Sequence, residues 1–284
     1  MSLADCALAA HDFEPRRHLR FEVAGHALGW IRPPMADRLA RFPGVFSHDG
    51  ACVRLSAALN TLALRNAAIA EVLAQLSAEG TLTGWRDELY AVAPAFGEPP
   101  LFHIERAAAR LLGVTTHAVH VNGLVDATHM WVARRSATKP IDPGMLDNLV
   151  GGGLAAGLSV AQTLVKEGWE EAGIPAGLMA RAVARDRIRL LREVLEGVQS
   201  EIIFVHDLAL PAGFQPVNQD GEVAELRLLP HAEVLRMLHA NGGITLDASL
   251  VMLSHYLRVG QVSPEEATPE RWLLSGAHDP PART

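Results

Sequence analysis

The stretch from Gly152 to Ile174, GGLAAGLSVAQTLVKEGWEEAGI, decides how this chain is read. Glycines open it, Ser159 offers an N-cap hydroxyl, and Gly173 offers a left-handed stop, so the spacing predicts a helix over 159–172. On that helix Glu167, Glu170 and Glu171 stand at i, i+3 and i+4 and share one face. Ala161, Leu164, Val165, Gly168 and Ala172 form a second stripe, fit to bury against a sheet, with Gly168 allowing a close approach to it. Three carboxylates on one face repel unless a cation lies between them, and hard oxygen ligands in that number suit Mg²⁺ or Mn²⁺. Such an ion binds diphosphate oxygens and activates water. A lone trio of glutamates is more often a solvated helix face. Here the glycine-rich lead-in and the Glu-Glu-Ala-Gly-Ile ending shift the weight toward a site.

With its flanks, the segment resembles the Nudix box. Gly152 matches that motif's first glycine, and Glu167, Glu170, Glu171, Gly173 and Ile174 match in register. The resemblance implies that Glu167, Glu170 and Glu171 are catalytic metal ligands, with the Gly152 carbonyl also facing the metal. Three positions depart: Leu158 for the first glutamate, Lys166 for the arginine and Gly168 for an aliphatic residue. The lost glutamate and arginine support the ligands, and supporting groups of that kind matter by about 10–100-fold. Lys166 keeps the charge without the planar fork and is placed to pair with Glu170.

Further segments are similar to Nudix proteins related to the thiamine-pyrophosphokinase-associated Nudix domain: Gly84–Tyr90, Phe102–Leu111, His117–Gly123, Pro143–Gly153, Asn218–Glu225 and Leu250–Gly260. This wider resemblance implies an α/β (α+β) fold, a Nudix α/β/α sandwich on a mixed sheet, preceded by a smaller α+β accessory domain. The expected division is 1–114 for the accessory domain, 115–262 for the hydrolase and 263–284 for a loose, proline-bearing tail. It also implies a metal-dependent pyrophosphatase acting on thiamine diphosphate or a damaged form of it. Two alternatives stay open: a nucleotide-type substrate (an oxidised nucleoside diphosphate or ADP-ribose), and a degenerate domain that binds without hydrolysis. A homodimer is implied by the resemblance alone.

A reaction of this kind needs one more carboxylate outside the box as general base. Glu222 is the first candidate and Glu225 the second, in a segment that enters a strand after Asp220. Arg134 and Arg135 end a predicted strand, so they face opposite sides and one of them is placed to meet phosphate. Trp85 and Arg86 offer a stacking and charge pair for a heteroaromatic ring. His117 and His120, three apart on a strand, are poorly placed for joint metal binding and read as structural or solvent-facing.

Bulk properties agree. The chain has 284 residues, room for two domains, and 49% hydrophobic residues supply their cores. A net charge of −7 speaks against nucleic acid or an anionic membrane as partner. Two cysteines, Cys6 and Cys52, form no zinc or disulfide pattern, and no basic, apolar leader opens the chain, so a cytoplasmic setting is expected.

Overall fold

The computed structural model describes residues 3–240 and 242–274. After helix α1 (Leu3–Ala9), a first sheet forms from β1 (Leu19–Val23), β2 (His26–Ile31), β3 (Phe46–His48) and β4 (Cys52–Leu55). Its order is β2-β1-β4-β3, with β1 and β4 parallel. The buried Leu19, Phe21 and Val23 alternate with outward residues, as a half-covered strand requires. Helix α2 (Pro33–Leu39), begun by prolines, lies between the hairpin and β3. Helix α3 (Leu62–Ala78) turns Ile69, Val72, Leu73 and Leu76 inward at helical spacing. Apolar spacing alone reads as a helix over 57–79; the Thr61 cap sets the start five residues later, at Leu62.

Strands β5 (Leu89–Val92) and β6 (Phe102–Glu105) then pair antiparallel. The alanine-rich stretch 104–112, closed by Gly113, reads as a helix from its sequence. The chain instead continues β6 to Glu105, because Phe102 and Ile104 alternate into the same core as Tyr90 and Val92. Only Ala109–Leu112 (α4) is α-helical, and it stops at Gly113 with φ 55°.

The second body is one mixed sheet between two helical layers, as expected. Its strands are β7 (Thr115–Val125), β8 (His129–Arg135), β9 (Leu146–Asp147), β10 (Val150–Gly153), β11 (Val183–Val194), β12 (Gly197–Ala209), β13 (Val223–Pro230) and β14 (Leu273–Leu274). The main path is β13-β8-β7-β12-β11-β14, with β10 on β7 and β9 on β8. Only β7 and β12, at its centre, run parallel along this path. Alternation sorts their side chains: Val119, Val121, Phe204 and Leu208 meet helices α5 (Val160–Ala172) and α6 (Ala176–Met179). Ala118, Ile203 and Val205 meet the opposite layer, α7 (His231–His239) and α8 (Leu246–Arg258).

That opposite layer also takes residues from both ends of the described chain. Leu3, Ala7 and Ala10 join its core, and so do Ala267 of α9 (Pro264–Ala267) and Trp272. The tail expected to be loose from residue 263 is therefore folded as far as Leu274. Trp272 is 1% exposed and donates its indole N–H to the Ala267 carbonyl at 2.9 Å, and β14 pairs with β11. Residues 275–284 of that expected tail lie outside the described residues.

A seam of buried polar groups runs through the sheet. Arg135 donates to Asp147 at 2.7 Å, and His120 Nδ1 donates to Asn148 Oδ1 at 2.8 Å. Asn148 donates to Asn122 at 3.1 Å, and Asn122 to Asp207 at 3.0 Å. Asp207 then accepts from Arg258 at 2.7 Å and from Arg185 at 3.2 Å. Burial works against its charge, yet bonds from His255 and Asn122 and the Arg258 guanidinium hold its carboxyl below the usual range.

Candidate active site between the two domains

Helix α5 is pinned at both ends. Ser159 accepts the Gln162 N–H and Gln162 returns a bond to the Ser159 N–H, a capping box, while Gly173 closes the helix with φ 62°. The three glutamates are thereby held opposite β10. They do not share one open face. Glu171 is buried and accepts the Gly151 N–H at 2.7 Å, Glu167 is largely covered, and Glu170 is half-exposed. The helical wheel gives their direction; the β10 strand lying over the helix decides their depth. Thr163 is buried where Ala161, of the expected apolar stripe, is exposed, and Gly168 admits the Met179 side chain of α6 rather than the sheet.

Gly152 has the matching role on the strand. A Cβ there would overlap the Glu167 carboxylate, so the bare backbone is what lets Glu167 lie against β10. Burial raises the carboxyl pKa of both Glu167 and Glu171 above the ordinary range. The nearest positive charges are lysines. Lys166 spans Glu167 at 2.9 Å and Glu170 at 2.6 Å, the second being the expected i, i+4 pair. Lys139, from the loop after β8, pairs with Glu222 and interacts electrostatically with Glu171. Among the described residues, no three Asp, Glu, His or Cys side chains already form a metal cage.

A cavity of about 280 Å³ lies between the domains; none of the three glutamates lines it, but Arg106 and Lys139 of its wall interact electrostatically with Glu167 and Glu171. The accessory domain lines it with Arg86, Tyr90, Arg106 and Arg110, and the sheet domain with Arg135, Lys139, Gln199, Glu201 and Glu222. It adjoins an open cleft of about 640 Å³ that shares Arg110, Pro140, Ile141, Glu196 and Gln199. Of the residues expected at the site, Glu222, Arg135 and Arg86 line the cavity. Arg134 and Glu225 do not; they pair with each other at 3.0 Å, a partnership set by their register on β8 and β13. Trp85 is 40% exposed and donates to Asp87 at 2.7 Å, outside the lining. His120 is buried in the polar seam. His117, partly covered, packs between Phe96 and Phe204, where burial lowers its pKa to about 4, so both histidines read as structural.

Sequence reasoning missed Lys139, Tyr90 and Arg106. The first lies in a loop whose sequence shows only Pro/Gly punctuation. The other two lie in segments whose resemblance carries no residue roles, and nothing local marks a residue as facing another domain.

A family model described as the NUDIX domain matches residues 116–248, which contain the whole Gly152–Ile174 segment. A second, described as a domain of unknown function (DUF4743), matches residues 2–116. A mixed sheet carrying that segment defines a hydrolase of pyrophosphate bonds, here with an added N-terminal domain. The chain is 38% identical to Nudix hydrolase 24, chloroplastic, of Arabidopsis thaliana over 250 residues, covering 86% of this chain and 68% of the relative. It is 36% identical to Nudix hydrolase 20, chloroplastic, of the same plant, covering 87% and 69%. An uncharacterised protein of Saccharomyces cerevisiae is 30% identical over 75% of this chain and 68% of its own length. The chain belongs to the Nudix hydrolase family.

Proposed function

We propose that the chain hydrolyses the diphosphate linkage of a small organic diphosphate, with thiamine diphosphate or an oxidised form of it as the substrate class to test first. The observation that carries this reading is the cationic cavity between the domains, whose Arg106 and Lys139 interact electrostatically with the α5 glutamates. Five cationic side chains line it, Arg86, Arg106, Arg110, Arg135 and Lys139, against three acidic ones, Glu196, Glu201 and Glu222, in a protein of net charge −7. A local excess of arginine and lysine of that kind suits phosphate oxygens. The adjoining cleft leaves room for the organic part.

The donor set fits a hard divalent cation such as Mg²⁺ or Mn²⁺. It is all oxygen, from Glu167, Glu170, Glu171 and the Gly152 carbonyl, and two of the carboxylates are buried deeply enough that charge without a cation is disfavoured. Lys166, on a flexible stem and 42% exposed, is free to swing aside. When bound, the ion would polarise the phosphate and supply activated water. Glu222 lines the cavity, paired with Lys139, and is preferred as base over Glu225, which Arg134 and Arg227 engage outside it. Arg135 lines the cavity with its guanidinium held by Asp147 and the Ile141 carbonyl, and of the two strand-end arginines it is the one assigned to phosphate. A cytosolic setting is part of the proposal and rests on two free, buried cysteines.

The test is phosphate or monophosphate release from thiamine diphosphate, its oxidised analogues, 8-oxo-nucleotides and ADP-ribose with Mg²⁺ or Mn²⁺. Turnover of the thiamine arm supports the proposal. Turnover of the nucleotide arms alone reassigns the substrate, and metal-dependent binding without turnover makes the domain a binding module.

Gly152→Ala sharpens the test. The three atoms nearest the added methyl all belong to the Glu167 side chain, so that side chain is displaced and the fold tolerates it. Turnover should fall by about 10–100-fold, with the melting temperature within about 2 °C of the parent. Unchanged turnover would show that Glu167 is not needed against β10.

A further inference from the structure

We propose that the N-terminal domain completes the substrate site, with Arg106 binding a phosphate group together with Lys139 across the domain boundary. The inference rests on the diphosphate reading above and gives the accessory domain a direct part in it. Three observations carry it.

The first is fixed docking. The Ala156 N–H donates to the Leu89 carbonyl at 2.7 Å, and Arg32 donates to the Leu195 carbonyl at 3.0 Å. The Tyr90 hydroxyl occupies the space a side chain at Gly153 would need, one residue from the glycine that receives Glu167. The accessory domain is thus seated on the strand that backs the glutamates.

The second is the mounting of Arg106. It opens a single 3-10 turn, Arg106–Ala108, directly after β6. The buried Glu105 caps that turn, accepting the Ala107 N–H at 3.2 Å, and also accepts the Arg86 N–H at 2.9 Å. The guanidinium lies 5.8 Å from the Tyr90 ring centroid and gives Nη1 to Glu88 at 2.6 Å. Among the described residues no hydrogen bond engages its Nε or Nη2, and the side chain lines the cavity. A fork with one tine held and the others open is preorganised for an anion.

The third is charge. Burial first, then Arg135 and Arg106, disfavour the ammonium form of Lys139, while Glu171 and Asp147 favour it. Cations from both domains therefore act on one another across the cavity. Glu88, Asp147 and Glu222 each pair with one of them. A diphosphate carries enough charge in one group to satisfy all three together.

The experiment uses the full chain with Mg²⁺. Inorganic pyrophosphate binding is measured by calorimetry, and KM and kcat on the substrate found above, for the parent, Arg106→Gln, Arg106→Lys and Glu88→Gln. Arg106→Gln is expected to weaken pyrophosphate binding and raise KM by about 10-fold or more, with kcat within about threefold. Arg106→Lys is expected in between, because it keeps the charge and loses the fork. Glu88→Gln, which loosens the held tine and leaves the cation, is expected to lose clearly less than Arg106→Gln on both readouts. Equal losses in Arg106→Gln and Glu88→Gln would make the pair structural and overturn the inference, as would unchanged binding in Arg106→Gln. Should Arg106→Gln fail to fold, unchanged binding in Arg106→Lys overturns it. A parent that binds pyrophosphate through Arg106 but turns over no diphosphate removes the hydrolase reading and leaves the inference standing. Turnover with unaltered KM in Arg106→Gln does the reverse.

Discussion

Glu171→Gln should retain no more than about one hundredth of the parent's turnover, while melting at the same temperature or higher when divalent metal is chelated. The two halves of this expectation have one cause. Glu171 is enclosed between α5 and β10, where its carboxylate accepts the Gly151 N–H at 2.7 Å. Burial disfavours its ionised form. Glutamine has the same shape, keeps an acceptor for the Gly151 N–H and removes the buried charge, so the metal-free fold has nothing to lose. What it loses is an anionic oxygen for a cation. Added Mg²⁺ should therefore raise the melting temperature of the parent, since a ligand bound only by the folded state stabilises it, and leave that of Glu171→Gln in place. Equal Mg²⁺ shifts in the two proteins, or equal turnover, would show that Glu171 is a structural residue.

Asp207→Asn should destabilise the fold by about 3 kcal/mol, a fall of roughly 6–12 °C in melting temperature, read by calorimetry. Asp207 is the shared anion at one end of the polar seam, facing Arg258, Arg185 and His255 while bonded to Asn122. Asparagine keeps the volume but removes the carboxylate that Arg185, Arg258 and His255 share, leaving Arg258 only its pair with Asp186. The pH dependence comes from the sign of the shift. The folded carboxyl titrates below its unfolded value of about 4. Its stabilisation is thus complete above that pH and disappears as the pH drops further. The parent should lose stability on acidification below about pH 4 more steeply than Asp207→Asn. Parallel curves would place the seam's contribution elsewhere.

What the sequence makes legible depends on whether the signal is local. Ser159, Gln162 and Gly173 lie within one helix and its caps, so the start and end of α5 come from residue type. The β8 strand, His129–Arg135, ends at the arginines as its sequence predicts, because its turn residues and alternation are adjacent in sequence. Strands β1 to β4 escape notice, being three to six residues long, too short for alternation to stand out. The depth of Glu171 is illegible for another reason: periodicity fixes an angle around the helix but not what covers it. The cavity cannot be read at all, since Arg106 and Lys139 become neighbours only when two separately folded bodies dock. Arg134 and Arg135 show the limit well. Alternation predicts that they face opposite ways, and they do, but only tertiary structure tells which one turns toward the cavity.

The layer that receives α1, α9 and Trp272 has a consequence for how the molecule is made. Residues 19–114 form a sheet and helices whose core is drawn from that contiguous span, so this part can close while the ribosome is still translating the second body. The hydrolase body has no such freedom. Its core requires Leu3 and Ala7, which leave the exit tunnel ahead of the accessory domain, and Trp272, which leaves it after the main strands of the large sheet. Helix α1 must wait, apolar face uncovered, until α8, α9 and Trp272 have been made, and removing either segment would take away part of a core that lies far from it in sequence.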